Sequence, residues 1–365
     1  MTAKDHLHCE IAIIGGGLAG LIACNVLVSA GIDVQIFEAA DRIGGRIKST
    51  RDQHTGEYLA DLGPTWVWPE YQPIAVKWLK KLNIETYQQY DQGDAIVDID
   101  RYQPPRRQFL PGQHGIARIV GGPQSLIDQL AQNIRPSNIH CGFNINRVSR
   151  RDGQMYLQSA GDANQPVHAN KVIVAAPLRI MEQMIDWTGL LDNSAINTMR
   201  NAPTWMSTQA KAAIIYKTPF WRELGLSGRI ASQVGPLFEA HDHCGPDGSP
   251  AALFGFLGPY RQETNADEIK SAIIEQLVRC FGNEAADFEK IEMMNWENDN
   301  LICSDQDRQT PPAHPELLPD HIRSGFCDGR LLFAVAETAT QSPGLIEGAI
   351  EAGERVANEI LSAPV

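Results

Sequence analysis

Residues 10–38 read EIAIIGGGLAGLIACNVLVSAGIDVQIFE, and no other stretch restricts the fold of this chain as strongly. Residues 11–32 carry no charge, a run long enough to cross a bilayer, which takes about 20 apolar residues. A membrane helix is evenly apolar, whereas this run is punctuated. Residues 11–14 are rich in isoleucine, as a buried parallel strand requires. Gly15, Gly16 and Gly17 follow, then a helical pattern over 18–29, Gly31 as its stop, and a second strand over 33–38. Strand, glycine turn, helix and strand make a βαβ unit. In such a unit Gly15 permits the tight turn, Gly17 lets the backbone approach a pyrophosphate, and Gly20 lets the helix pack on the strand. The helix N-terminus offers unpaired N–H groups and partial positive charge to phosphates. Glu38 ends the second strand, where a carboxylate accepts hydrogen bonds from a ribose. The unit reads as a dinucleotide site and not as a membrane span.

Composition narrows the partners. A chain of 365 residues holds two domains, or one with a second lobe. With 43% hydrophobic and 21% charged residues it can bury a sizeable core. A net charge of −13 without a basic run argues against nucleic acid and against an anionic membrane. The cysteines number 7, are scattered, and form no CxxC pair, which fits a reducing cytoplasm better than a disulfide framework. No signal-peptide pattern opens the chain.

The βαβ unit alone leaves NAD and FAD both open. Its continuation, EAADRIGGRIKS at 38–49, adds Gly44, Gly45 and Arg46. An arginine there can bond two phosphate oxygens at once. Taken alone, a glycine turn with a surface arginine is the simpler reading. The sequence GxGxxG followed by E-x3-R-x-G-G-R, however, resembles the flavin-containing amine oxidase family, with its monoamine oxidases and short bacterial members. GEYLADLGPTWVW (56–68) looks like the family's flavin-edge segment, and RIVGGPQSLIDQLAQNI (118–134) is similar to its Gly-Gly helix start. KVIVAAPL (171–178) and KTPFWRELGLSG (217–228) also follow family patterns. LLFAVAETATQSPGLIEGAIEAGERVANEIL (331–361) resembles the terminal flavin-binding strand and helix. Together these motifs select FAD.

The resemblance implies an α/β fold, a Rossmann-like FAD-binding domain of the GR2 flavoprotein type with an α+β substrate-binding lobe. The FAD domain is expected from 8–75, 117–200 and 325–363, and the lobe from 76–116 and 201–324. Cofactor contacts are implied at Gly15, Gly17, Ala19, Gly20, Glu38 and Ala39, then at Gly45 and Arg46. Gly63, Pro64, Thr65 and Trp66 would meet the flavin edge. Ile145 would offer backbone groups to the adenine. Glu337 and Thr338 would lie near the ribityl or pyrophosphate portion, and Leu345 and Ile346 near the isoalloxazine. The implied chemistry is hydride loss from the carbon beside an amine nitrogen to flavin N5, imine hydrolysis, and reoxidation by O2 to H2O2. The partners are then a small-molecule primary or secondary amine and O2. Lys211, in STQAKAAIIYK (207–217), is the expected catalytic residue. A family lysine in such a strand holds a water near flavin N5, and a cation there stabilises developing superoxide. By its strand pattern alone, the same lysine would face solvent at a sheet edge.

Departures from the family pattern bear on the substrate. Leu345 stands where one aromatic wall of the monoamine oxidase cage is usual, and Val335 replaces a glycine in the terminal strand. Trp66, Phe220, Trp296 and Leu345 are the pocket candidates. About forty residues occupy the place of a longer helical section in monoamine oxidases, which predicts a more open entrance. A porphyrinogen- or polyene-type oxidation, or flavin binding without turnover, are the alternatives. Cys303 lies in NLICSDQD, unlike the Gly-Gly-Cys pattern of covalent flavin attachment, so non-covalent FAD is expected. The chain ends without the membrane-anchoring tail of mammalian monoamine oxidases, which predicts a soluble protein, cytoplasmic by its cysteine usage; a homo-oligomer is left open. His241, His243 and Cys244 in AHDHCG are too closely spaced for a structural zinc site. That stretch, HLHC at 6–9, and Arg106 with Arg107 are expected in solvated loops, and no metal is expected.

Overall fold

The computed structural model describes residues 7–112, 114–159, 166–258 and 265–363. Its first sheet grows from the glycine-rich unit. Strand Leu7–Ile14 becomes fully buried from Ile11 onward, the pattern of a strand covered on both faces. It pairs in parallel with Val34–Phe37 on one side and Val167–Val174 on the other. Ile139–His140 extends the sheet beyond Val34–Phe37, and Leu331–Phe333 extends it beyond Val167–Val174, both in parallel. The start of Val167–Val174 pairs instead with the antiparallel hairpin of Ile145–Arg151 and Gln154–Ser159. Helices Leu18–Ser29 and Ile346–Ser362 cover one face. A Cβ on Gly353 would lie 2.3 Å from Ala19 O, so glycine is what lets these two helices meet. Leu178, Met181 and Trp187 pack on the other face against Val172 and Phe333. This is a Rossmann-like layer with helices on both sides.

The second sheet runs in the order Phe288–Asn295, Ala210–Tyr216, Ala251–Leu257, Leu237–Asp242, Leu226–Ser232, Asp94–Asp98 and Arg106–Gln108. Strand Ala210–Tyr216 is interior and buried at every position. Its even-numbered side chains pack on helix Ala266–Phe281 through Ile273 and Leu277. Ala213 and Ile215 pack instead on Ala60 and Leu62, which belong to the hairpin of Ser49–Arg51 and Tyr58–Asp61 and its continuation. A strand alternates its faces, so Lys211 shares the hairpin side with Ala213 and Ile215.

Three expectations are corrected here. AHDHCG is not a solvated loop: strand Leu237–Asp242 crosses the sheet interior, and His241, His243 and Cys244 are buried. Arg106 and Arg107 are exposed but stand on a strand, paired with Asp94–Asp98 at the sheet edge. Cys9 is buried within Leu7–Ile14, while His6 lies outside the described residues. Among the described residues no helix is long and apolar enough to cross a membrane.

Candidate active site

The glycine turn shows what its missing side chains are for. At Gly15, φ is +108° and a Cβ would lie 2.6 Å from Ala175 O. A Cβ on Gly20 would lie 2.2 Å from Gly15 O. Both glycines are required by the chain's own packing. At Gly17 an added Cβ meets nothing within 4 Å, so its surroundings are open to a ligand. Gly17 caps helix Leu18–Ser29 with no side-chain hydrogen bond, leaving the first N–H groups without a side-chain cap. The second glycine pair closes on the first. Gly44 N–H donates to Gly16 O at 2.8 Å, and a Cβ on Gly45 would lie 3.3 Å from Gly17 Cα.

Charged side chains fix this cradle. Glu38 accepts Gly16 N–H at 2.6 Å and Ala40 N–H at 2.8 Å, which holds its carboxylate at the rim. Arg42 donates to the carbonyls of Ile43, Ile47 and Gly45. Arg46 and Glu337 form two parallel bonds of 2.7 and 2.9 Å, a bidentate pair. Glu337 also accepts Trp205 N–H at 3.3 Å.

A cavity of about 570 Å³ leads from the cradle to the second sheet, within the roughly 300–1,000 Å³ of ligand pockets. Ile145 and Phe143 line it beside Glu38; Gly63, Pro64, Thr65, Trp66, Trp296 and Lys211 line it at the second sheet. Leu345 and Ile346 also line it, at the start of helix Ile346–Ser362. Trp66 donates to Gln89 Oε1 at 2.8 Å, and Trp296 donates to Leu62 O at 2.9 Å, so both rings are held in place.

Lys211 is 3% exposed. Its ammonium donates to Gly63 O at 2.9 Å and contacts Thr65 Oγ1. The nitrogen also stands 4.1 Å from the centre of the Phe254 ring. Burial disfavours the charge, Asp61 restores part of it and Arg118 opposes it, leaving the lysine with a pKa of about 7. The group can therefore hold or release a proton at neutral pH.

Of the expected site residues, Gly15, Gly17, Ala19, Glu38, Ala39, Gly45 and Arg46 line this one cavity with those just named. Gly20 does not; it packs helix on turn. Glu337 and Thr338 lie behind the wall, Glu337 bonded to Arg46 and Thr338 to Val335 O. Phe220 does not line the cavity: half-buried, it packs with Tyr216, Trp221 and Phe281 against the core of the second sheet. Trp205, Lys48, Phe256 and Met294 also line the cavity and were missed from sequence. Phe256 and Met294 flank Lys211 in register on the two neighbouring strands, a signal readable only once the pairing is known.

Comparison with known proteins agrees with this geometry. The family described as flavin containing amine oxidoreductase matches residues 18–114 and 103–361. Amine oxidase [flavin-containing] B of Cavia porcellus is 22% identical, the match covering 97% of this chain and 86% of that protein. A probable flavin-containing monoamine oxidase A of Dictyostelium discoideum is also 22% identical, covering 96% and 97%. Among solved structures, putrescine oxidase bound to putrescine superposes with a TM-score of 0.77 at 18% identity, covering 98% of this chain and 100% of that one. Cyclohexylamine oxidase from Brevibacterium oxydans IH-35A superposes with a TM-score of 0.78 at 17% identity, covering 96% and 98%.

Proposed function

The chain belongs to the flavin containing amine oxidoreductases, and on that premise we propose that it is an oxidase of a primary or secondary amine using non-covalent FAD. The single observation that carries this reading is the placement of Lys211 and the Gly17 cradle on one cavity. Bound there, the flavin would take a hydride from the carbon beside the amine nitrogen and return the electrons to O2 as H2O2.

The chain's own residues have separable tasks. The N–H groups after Gly17 and the Gly45–Arg46 backbone would hold the pyrophosphate, and Glu38 the adenosine ribose. Ile145 would border the adenine. Gly63, Pro64 and Thr65 would face the ring edge, with Ile346 at the helix start beside it. Trp66 and Trp296 would give the amine an apolar, cation-tolerant wall. Trp205 adds aromatic surface beside Leu345: Gly344 is so close that a Cβ there would lie 2.7 Å from Trp205 Cβ. Lys211 would hold a water or a proton at the second-sheet end and present a positive charge when protonated. Segments 8–75, 117–200 and 325–363 would carry the cofactor, and 76–116 with 201–324 the substrate. None of the described cavity-lining residues is Cys, His or Tyr, which supports non-covalent binding. All of the cysteines are unpaired, which supports a cytoplasmic setting.

Peroxide release from a panel of primary and secondary amines tests the reading. Amine-dependent H2O2 is expected. Flavin reduction by non-amine substrates alone, or FAD that no substrate reduces, would replace it with one of the two alternatives.

A further inference from the structure

Behind the cavity wall lies a buried polar cluster that neither the cradle nor the amine pocket explains. Asp61 and Arg118 are each 1% exposed and His243 is 0% exposed. Asp61 Oδ2, Arg118 Nε and His243 Nδ1 have no hydrogen-bond partner, although such atoms are normally satisfied. Asp61 Oδ1 takes the Ser49 hydroxyl at 2.9 Å. His243 Nε2 lies 3.3 Å from Asp61 Oδ2, but that nitrogen receives Asp61 N–H at 2.9 Å and faces the Tyr58 hydroxyl at 3.0 Å. Arg118 donates to Cys244 O at 2.9 Å and to the Tyr58 oxygen at 3.3 Å. Burial and Arg118 hold the His243 pKa down at about 3, so this neutral ring gives Asp61 no countercharge.

The cluster adjoins Lys211. The Phe254 ring touches both, with Lys211 Nζ 4.1 Å from its centre and the His243 ring 4.9 Å away edge-on. Asp61 stands two residues before Gly63, whose carbonyl receives the lysine. The charged and titratable groups around Lys211 are Asp61 from the hairpin, Arg118 from strand Ala117–Ile119, His243 after strand Leu237–Asp242, and Lys48, which bonds Met294 Sδ opposite. Arg118 in turn faces Tyr58, Tyr87 and Asp242.

We propose that Asp61 is a positioning residue for Lys211: its carboxylate keeps the ammonium charged at the cavity wall, and Arg118 limits that hold so the proton can leave. A carboxylate and a guanidinium buried beside the same ammonium act on it with opposite sign. The inference rests on the reading that Lys211 serves the flavin, but its test is independent of any substrate.

The test is the pH titration of the Lys211 side chain by NMR of the flavin-loaded protein carrying 13Cε-lysine, the resonance assigned by its loss in Lys211→Met. In Asp61→Asn the midpoint is expected to fall by about 1 pH unit or more, the scale of a nearby opposite charge. In Arg118→Gln it is expected to rise. The pH profile of flavin reoxidation in air should move with each. Midpoints that stay in place, or that move together in one direction, overturn the proposal. If Asp61→Asn does not fold, Arg118→Gln decides: a rise supports the proposal, and no change or a fall overturns it. These midpoints are read whether or not an amine reduces the flavin, so failure of the amine-oxidase reading remains a separate outcome.

Discussion

An ammonium stripped of water gives up its proton more easily, and Lys211 is such a group. Its pKa of about 7 lies below the ordinary 10.5, so between those values the unfolded chain binds the extra proton. Stability therefore rises with pH across that window, and the burial penalty is complete below it. Lys211→Met removes the group. The stability of its apoprotein relative to the parent should decline as pH rises from 7 to 10.5, by about 1.4 kcal/mol per pH unit; denaturant midpoints at the two ends check this. Gly17 and Gly20 offer a second contrast. Gly17→Ala adds a methyl to open space, so the apoprotein should lose no more than about 1 kcal/mol while FAD affinity falls at least tenfold. Gly20→Ala drives a methyl into Gly15 O and should destabilise the apoprotein itself. Thermal melts with and without FAD separate the two.

At the scale of elements, the glycine turn was legible because its contacts are local: Gly16 and Glu38 meet only 22 residues apart. Trp205 was not, because a loop residue has no periodicity and its bond to Glu337 spans 132 positions. His241 and His243 were misread because polar residues suggest solvent, whereas here the end of a central strand and the residues just after it are buried, with Glu239 and Asp61 beside them. Lys211 shows the reverse case: its strand looked like an edge by composition, and pairing on both sides made it interior. The Arg46–Glu337 bond joins the first and last segments of the chain across 291 positions. Glu337→Gln should lower stability by roughly 1.5–3 kcal/mol, the range for bonds to charged groups, with a denaturant midpoint shift at unchanged slope.

At the scale of the whole molecule, two sheets meet at one cavity, the first supplying the glycine-rich turn and the second the buried lysine. Non-covalent FAD, as proposed, should leave the yellow colour in the supernatant after acid precipitation; flavin retained on the pellet would contradict it. The fold class was readable from motifs spread along the chain, because several of them, at 15–20, 38–49, 56–68 and 331–361, are glycine-rich or turn segments that fold onto one cavity. The substrate was not readable, because the walls that face it come from loops and neighbouring strands brought together only on folding. The most direct measurement is anaerobic mixing of the purified holoprotein with primary and secondary amines, following the flavin absorbance. Bleaching by at least one amine, reversed by air with one H2O2 per flavin, is the expected result. A flavin that no amine bleaches, while dithionite still does, would contradict the account.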